Sequence, residues 1–215
     1  MNLKSPAVIK LGGSLLTLPD LNARLQGVVN SLGPQKVLIV AGGGAAADEI
    51  RRLDQCFGLS SEQAHWAAVA AMTFNSQILS RVCGGLPVVA ARIDAETAWN
   101  QHNAVLLDVS RFLRDEQISH SRSLPESWSV TSDSIAAFVA LHWPASQIVF
   151  CKSCDLPSQN VSKPSQDDLL DDWFPNLLSP LQQSKVKLSW LNLRAAKPQP
   201  QLILNSPECA IPRTN

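Results

Sequence analysis

The sequence predicts an α/β fold, a three-layer αβα sandwich in which helices cover both faces of a mainly parallel sheet. Short apolar runs alternate with segments of helical spacing along the chain, the order of elements found in βαβ sheets. Two runs, Val8–Leu11 and Val37–Val40, are apolar at nearly every residue, as strands buried on both faces are. Each leads into a glycine loop, so backbone N–H groups of two neighbouring loops can face a phosphate chain.

The composition is that of a globular protein of ordinary polarity. Of the 215 residues, 45% are hydrophobic and 17% are charged, and one domain over residues 1–215 accounts for this length. Lys plus Arg equals Asp plus Glu at 18 each, so we expect no nucleic-acid or membrane partner. No apolar run approaches the roughly 20 residues that span a bilayer, and no signal-peptide pattern is present. Five cysteines, an odd number, favour a reducing cytoplasm.

The first half of the chain contains two strand–loop–helix units and one long helix. Apolar residues at helical spacing, closed by a Gly-Pro pair, predict a helix over Leu15–Ser31. The second glycine loop leads into a helix over Ala45–Phe57, with acidic residues in its early turns. Ser60 or Ser61 is a typical N-cap for the next helix, which runs to Cys83 before two glycines.

The second half alternates shorter elements, assigned by the same criteria of apolar runs and helical spacing. The predicted strands are Pro87–Ala91, Ala104–Leu107, Gln147–Phe150, Val186–Leu191 and Gln201–Leu204. The predicted helices are Ala95–Asn100, Thr131–Leu141 and Leu177–Gln183, with a turn and short helix over Asp108–Asp115. Glu116–Pro125 and Ser153–Gln166 are predicted loops because polar residues and prolines are frequent in them.

The glycine loops and the lysine before the first of them predict a phosphate site. Only glycine lets the backbone approach a phosphate chain closely without a Cβ clash. Lys10 lies in an otherwise apolar strand just before Gly12 and Gly13, where it supplies a fixed positive charge. The loops match neither the Walker A motif nor the GxGxxG fingerprint. A tight turn would explain either loop alone, whereas both loops together with Lys10 favour phosphate binding.

Three segments together resemble the amino acid kinase superfamily, the fold of acetylglutamate, carbamate, aspartate and uridylate kinases. They are VIKLGGSLL, VAGGGAAADEIR and SWSVTSDSIAAFVA, and the resemblance covers roughly residues 5–155. The third segment, followed by IVFCKSCDL, is similar to the corresponding part of uridylate kinases. Together with AHWAAVAAM it resembles the small (aminomethyl)furanylmethyl-phosphate kinases of methanofuran synthesis, which phosphorylate a phosphate monoester.

The resemblance implies a kinase that uses ATP and Mg²⁺ to phosphorylate a small-molecule acceptor. Lys10 would stabilise the transferring phosphoryl group, and Asp133 would orient Lys10 or help to organise Mg²⁺. The backbone amides of the glycine loops would cradle the phosphates, and Lys152 would reach those of ATP. The implied nucleotide-binding residues are Gly12, Gly13, Ser14, Lys152 and Asp155. The implied acceptor-binding residues are Gly42, Gly43, Gly44, His65, Thr131 and Ser132. The acceptor part would span about residues 1–130, and a shortened nucleotide part about 131–215.

Several of these residues have a simpler interpretation that the sequence leaves open. Asp133 lies where a helix N-cap belongs, Lys152 can be a solvated strand-end lysine, and His65 can be a packing residue on an alanine-rich helix. A CxxC pair, Cys151 and Cys154, lacks the second ligand pair of a zinc site. The acidic run Asp167, Asp168, Asp171 and Asp172 is typical of a solvated amphipathic helix.

The residues after Lys152 keep two other functions open. Ser153–Pro157 departs from the V-D-G pattern of uridylate kinases, so a non-catalytic binding or storage protein on this fold is one alternative. A carboxylate, carbamate or nucleoside monophosphate kinase is the other. We also expect a homodimer or higher homo-oligomer that uses the helix 61–83. Its small side chains recur at helical spacing and permit close helix packing, although the same face could pack on the chain's own sheet: Ala64, Ala67, Ala68 and Ala71.

Overall fold

The computed structural model describes residues 5–119, 123–156 and 170–204. All seven strands in these ranges form one sheet in the order β3-β4-β2-β1-β5-β6-β7, parallel except for β7, which is antiparallel to β6. The strands are β1 Ala7–Leu11, β2 Val37–Ala41, β3 Val88–Val89, β4 Ala104–Leu107, β5 Gln147–Lys152, β6 Lys187–Asn192 and β7 Gln201–Leu204. The helices are α1 Leu21–Ser31, α2 Gly44–Phe57, α3 Ser61–Val82, α4 Arg92–Ala98, α5 Val109–Ser119, α6 Ser132–His142 and α7 Pro175–Gln183.

Alternate strand residues enter two hydrophobic cores, one on each face of the sheet. Val8 and Leu38 pack with residues of α3, α4, α5, α6 and α7, whereas Ile9 and Ile39 pack with α1 and the end of α3. The period of two in a strand puts successive side chains on opposite faces. The predicted three-layer α/β fold is therefore confirmed.

Two element predictions are wrong in their extent. The helix predicted over Leu15–Ser31 begins only at Leu21, because Gly13–Leu15 forms a separate 3-10 turn. The predicted loop 116–125 is helical up to Ser119, as part of α5. Asp108 explains the start of α5, since its Oδ1 accepts a hydrogen bond (3.1 Å) from the Arg111 N–H and so caps the first turn.

The other differences are small. The predicted strand Pro87–Ala91 shortens to Val88–Val89, and β5 continues to Lys152. Ser60 caps α3 with a full capping box, in which its hydroxyl and the Gln63 side chain exchange hydrogen bonds with each other's backbone. Most of the predicted loop Ser153–Gln166 lies outside the described residues.

Three central strands bring the segments of interest to one edge. β1 lies between β2 and β5 and is parallel to both, so Lys10, the two glycine loops and Lys152 all lie at the carboxyl ends of neighbouring strands. That edge is where open α/β sheets bind ligands. No helix in the described part of the chain has the length and apolar character needed to cross a membrane.

Candidate active site

Two lysines and one carboxylate meet at this edge of the sheet. Lys10 in β1 and Asp133 in the first turn of α6 are both buried, and Lys10 Nζ lies 3.0 Å from Asp133 Oδ1. Lys152, at the end of β5, donates a hydrogen bond of 2.8 Å to Asp133 Oδ2. We call Lys10, Asp133 and Lys152 the lysine clamp. A single carboxylate thus fixes two ammonium groups from two different strands.

The clamp carries a net positive charge in a nearly dry position. Burial opposes ionisation of Asp133, but the charges and hydrogen bonds of the two lysines outweigh it and hold the pKa of Asp133 below its ordinary value. Burial and the charge of Lys10 lower the pKa of Lys152, against the attraction of Asp133. Such a group attracts phosphate oxygens, because their charges are screened less here than in water.

The two glycine loops pack backbone against backbone. A Cβ on Gly13 would lie 2.1 Å from Gly44 N, and a Cβ on Gly44 would lie 2.8 Å from Gly13 O. Gly44 also has φ +52°, a conformation that side chains rarely adopt. Among the described residues, the N–H groups of Gly13, Gly43 and Gly44 have no backbone acceptor. These three amides fit a phosphate cradle.

The Gly12 amide, which the resemblance places in the phosphate cradle, is already hydrogen-bonded within the chain. Gly12 N donates to the Cys151 carbonyl at 2.8 Å, which extends the β1–β5 ladder. Gly42 N likewise donates to the Leu11 carbonyl at 2.8 Å. Neither N–H group is available to a ligand, so these two glycines serve the close approach of strands and loops.

Asn75 fixes the second glycine loop, and sequence reasoning missed it. Its buried side-chain amide donates to the carbonyls of Gly42 and Gly43, each at 2.8 Å. In the sequence, Asn75 is only a polar residue within the long helix, and this pattern does not reveal that it contacts the glycine loop.

A pocket of about 300 Å³ lies beside the glycine loops. Of the predicted site residues, it is lined by Gly13, Ser14, Gly43, Gly44, His65, Thr131 and Ser132. Lys10, Gly12, Gly42, Asp133, Lys152 and Asp155 do not line it. One wall is apolar, with Ala68, Val69, Met72 and Ile135. The pocket therefore suits a small molecule with an apolar body and an anionic end at the loops.

Arg51 and Trp128 form a rim of this pocket that sequence reasoning missed. The Arg51 guanidinium lies 4.5 Å from the centre of the Trp128 ring, and Trp128 Nε1 donates to Asp54 Oδ2 at 2.7 Å. Arg51 also pairs with Asp48 at 3.2 Å. The stack holds a cation at the pocket mouth, on the side of the glycine loops.

His65 is buried against the pocket rather than half-buried. Its side chain is 2% exposed, and its Nε2 has no hydrogen-bond partner among the described residues. Burial lowers the pKa of His65, although a hydrogen bond to the Ser127 backbone and the charge of Glu126 act in the opposite direction. The imidazole is therefore neutral at pH 7.

The nucleotide side is less enclosed. The hydroxyl of Ser14 donates to Ser153 Oγ at 3.1 Å, and Arg194 donates to the Ser14 carbonyl at 2.9 Å. Asp155 is exposed and accepts a hydrogen bond of 2.9 Å from Asn192, the β6 residue that is paired with Lys152. Burial raises the pKa of the Cys151 thiol to about 12, so Cys151 stays protonated. Within the described ranges no three His, Cys, Asp or Glu side chains cluster as a metal site.

Asp133 is not the N-cap of α6, since Thr131 occupies that position. The Asp171 carboxylate caps the same helix end. Its Oδ2 accepts from the Thr131 N–H and hydroxyl, both at 2.8 Å, and from Ser134 N at 2.9 Å. The predicted solvated helix is therefore wrong at Asp171, and Asp167 and Asp168 lie outside the described residues.

A sequence model described as the amino acid kinase family matches residues 5–155. The chain belongs to the amino acid kinase family. The resemblance of the three motifs is thus confirmed, and with it the prediction of a kinase-family enzyme. A relative, [5-(aminomethyl)furan-3-yl]methyl phosphate kinase of Methanocaldococcus jannaschii, is 22% identical over 150 residues. That match covers 69% of this chain and 66% of the relative, slightly less than two thirds of its length.

Solved structures of the family share the fold at low identity. The uridylate kinase of Archaeoglobus fulgidus superposes with a TM-score of 0.61 at 17% identity, covering 86% of this chain and 89% of that one. The UMP kinase of Bacillus anthracis gives 0.63 at 15%, covering 89% and 88%. A carbamate kinase of Giardia lamblia bound to AMP-PNP gives 0.55 at 11%, covering 91% and 95%. These likenesses show the amino acid kinase fold.

Proposed function

We propose that this family member is an ATP-dependent kinase that transfers the γ-phosphoryl group to a small phosphate monoester. The lysine clamp is the observation that carries the proposal. In phosphoryl transfer, negative charge spreads over the oxygens of the moving group, and catalysis consists mainly of positioning and charge neutralisation. Two ammonium groups fixed by one buried carboxylate supply both, next to a cradle of free backbone amides.

The proposed division of labour follows the geometry. ATP lies on the side of Ser14 and Lys152, and the acceptor lies in the pocket, with its phosphate toward Gly43 and Gly44. An acceptor phosphate oxygen attacks the γ-phosphorus, the bond to the β-phosphate oxygen breaks, and ADP and a diphosphate ester result. Lys10 and Lys152 stabilise the charge of the moving group, and Asp133 keeps their ammonium groups in place. One domain would contain both substrate sites.

Mg²⁺ fits this site only as part of the nucleotide substrate. Both oxygens of Asp133 are engaged by lysines, and the described residues offer no other cluster of carboxylates. The proposal therefore assigns no protein side chain to the metal. When bound to ATP phosphates, Mg²⁺ would add to the charge neutralisation begun by the clamp.

The aminomethylfuran phosphate named for the Methanocaldococcus relative is the proposed acceptor. The pocket offers an apolar wall and Trp128 to an aromatic ring, and the amides of Gly13, Gly43 and Gly44 to its phosphate. The test is a coupled ADP-release assay with ATP and three acceptor classes: this phosphate, UMP, and carbamate. We expect turnover with the furan phosphate. Turnover with only UMP or only carbamate would show that the proposed acceptor is incorrect. If ATP is consumed with none of the three acceptors, the alternative of a non-catalytic binding protein is favoured.

We further propose a cytoplasmic homodimer that uses the later turns of α3. Ala64 and Ala71 are buried in the chain's own core and Ala68 lines the pocket, which favours the alternative that this part of the alanine face packs within the chain. The later turns of α3 expose large apolar side chains one turn apart: Phe74, Ile78 and Val82. We call these three the α3 strip, and it supports a twofold contact between copies.

A further inference from the structure

The Asp171 carboxylate, at the N-terminal end of α6, receives more hydrogen bonds than an ordinary helix cap. Besides the three bonds to Oδ2, Asp171 Oδ1 accepts from Phe174 N at 3.0 Å and from the Ser134 hydroxyl. One side chain thus binds five donors, four of them on the first turn of α6. An ordinary N-cap accepts one or two.

The residues at the N-terminal end of α6 that donate hydrogen bonds to Asp171 flank Asp133 on both sides. Thr131 and Ser134 lie two residues before and one residue after Asp133, so Asp171 fixes the backbone on either side of that residue. Asp133 lies in the first turn of an eleven-residue helix whose N-terminal N–H groups favour negative charge. The orientation of the Asp133 carboxylate, and with it both lysines, therefore depends on this turn.

Asp171 is itself held by packing around it. Phe174 is buried and contacts the Phe150 ring in β5 with 5.5 Å between centroids, and Trp173 N donates to the Ser129 carbonyl at 3.1 Å. These contacts tie Asp171 to the strand that carries Lys152 and to the segment before Thr131. Two members of the clamp and the pocket wall at Thr131 thus share one support.

We infer that Asp171 is a positioning residue for phosphoryl transfer, acting through the first turn of α6 on Asp133 and the two lysines. The inference rests on the proposed function. Because Asp171 touches neither lysine, its loss is expected to disorder the clamp rather than to remove a charge from it. Misplacement of reacting groups by about 1 Å can cost about 100-fold in rate.

The test uses Asp171→Asn, which keeps the shape but replaces an acceptor oxygen with an NH₂ donor. Asp172→Asn is the matched control, since the neighbouring carboxylate is exposed. The first readout needs no substrate: lysine-selective ¹H–¹⁵N spectra of the side-chain ammonium groups. We expect the signals assigned to Lys10 and Lys152 to be protected in the wild type and the control, and lost in Asp171→Asn and in Asp133→Asn.

The second readout is kinetic. In a folded Asp171→Asn protein, kcat is expected to fall about 10- to 100-fold with little change in the KM for ATP. In an Asp133→Asn background, the same change is expected to have almost no further effect, because the group it positions is already gone. Should Asp171→Asn fail to fold, Asp171→Glu is read in the same way.

Unchanged lysine signals in a folded Asp171 variant would overturn the inference, whatever the activity. So would additive losses of kcat in the double variant, which would show a structural cap only. A different outcome is that the wild type shows no turnover while Asp171→Asn still loses the lysine signals. That outcome would contradict the proposed function but support the role of Asp171 in positioning the lysine clamp.

Discussion

Lys10 and Lys152 share Asp133, and this explains how a strand otherwise apolar can bury an ammonium group. An isolated buried charge is costly, whereas a pair with good geometry offsets much of that cost. Sequence reasoning identified all three residues through their resemblance to family motifs. It did not show that Asp133 contacts both lysines, because their meeting depends on how α6 lies across β1 and β5.

Lys10→Met tests the clamp at the residue that lies deepest. Methionine keeps most of the side-chain length but removes the charge, so we expect kcat to fall by a factor on the order of 10²–10³. The fold is expected to persist, since Asp133 keeps its hydrogen bond to Lys152. The fall in kcat is measured by stopped-flow or steady-state assays of ADP release.

Lys36→Met serves as the control for that experiment, because Lys36 lies just before β2 and donates to the His102 carbonyl, at the opposite end of the strands. Its activity should match the wild type. Near-normal kcat in Lys10→Met would remove Lys10 from the mechanism.

His65 gives the protein a pH-dependent stability. Its pKa lies below the ordinary 6.5 in the folded state because burial disfavours the charged ring. Between the two pKa values the unfolded chain binds more protons than the folded one, so stability present above about pH 6.5 is lost as the pH falls. Urea unfolding between pH 7.5 and 5 should show this slope, and His65→Gln should flatten it. Equal slopes in both proteins would contradict a buried neutral His65.

At the scale of elements, the two glycine loops depend on direct backbone contact. Gly13→Ala places a Cβ on Gly44 N, so the loops must separate by about an ångström, which misplaces the cradle. We expect a loss of kcat/KM of about 100-fold. The experiment compares kcat/KM for both substrates in the variant and the wild type.

Gly27→Ala is the matched control, because a Cβ on this exposed glycine in α1 meets nothing within 4 Å. There the same substitution is expected to stabilise the helix by about 0.5–1 kcal/mol without changing activity. If Gly13→Ala behaves like Gly27→Ala, the loops are turns and nothing more.

The sequence predicted the elements that follow from periodicity and glycine, and missed those set by distant side chains. β1, β2, α2 and α3 were placed within a residue or two. The extent of α5 was missed because the residues after Asp115 are polar and were predicted to form a loop. The contacts of Asn75, Arg51 and Asp171 were missed because each of these residues has a partner at least 32 residues away, as in the Asn75–Gly43 bond. Contacts at that separation are fixed by the tertiary fold, which no local pattern contains.

At the scale of the whole molecule, the α3 strip predicts self-association. Phe74→Ser with Ile78→Ser removes two large exposed apolar side chains, and the variant is expected to sediment as a folded monomer where the wild type sediments as a dimer. Ile93→Ser, which changes a still more exposed isoleucine on α4, should leave the dimer intact. A wild-type monomer at micromolar concentration would end the dimer proposal.

The central claim, that the clamp moves a phosphoryl group onto a phosphate monoester, is tested most directly by ³¹P NMR of one reaction mixture. ATP, Mg²⁺ and [5-(aminomethyl)furan-3-yl]methyl phosphate are incubated with the wild-type protein or with Lys10→Met. We predict that the acceptor's monoester signal is replaced by the paired signals of a diphosphate ester while ATP becomes ADP, and that Lys10→Met shows neither change over the same time. Release of inorganic phosphate with an unchanged acceptor, or equal product from both proteins, would contradict the claim.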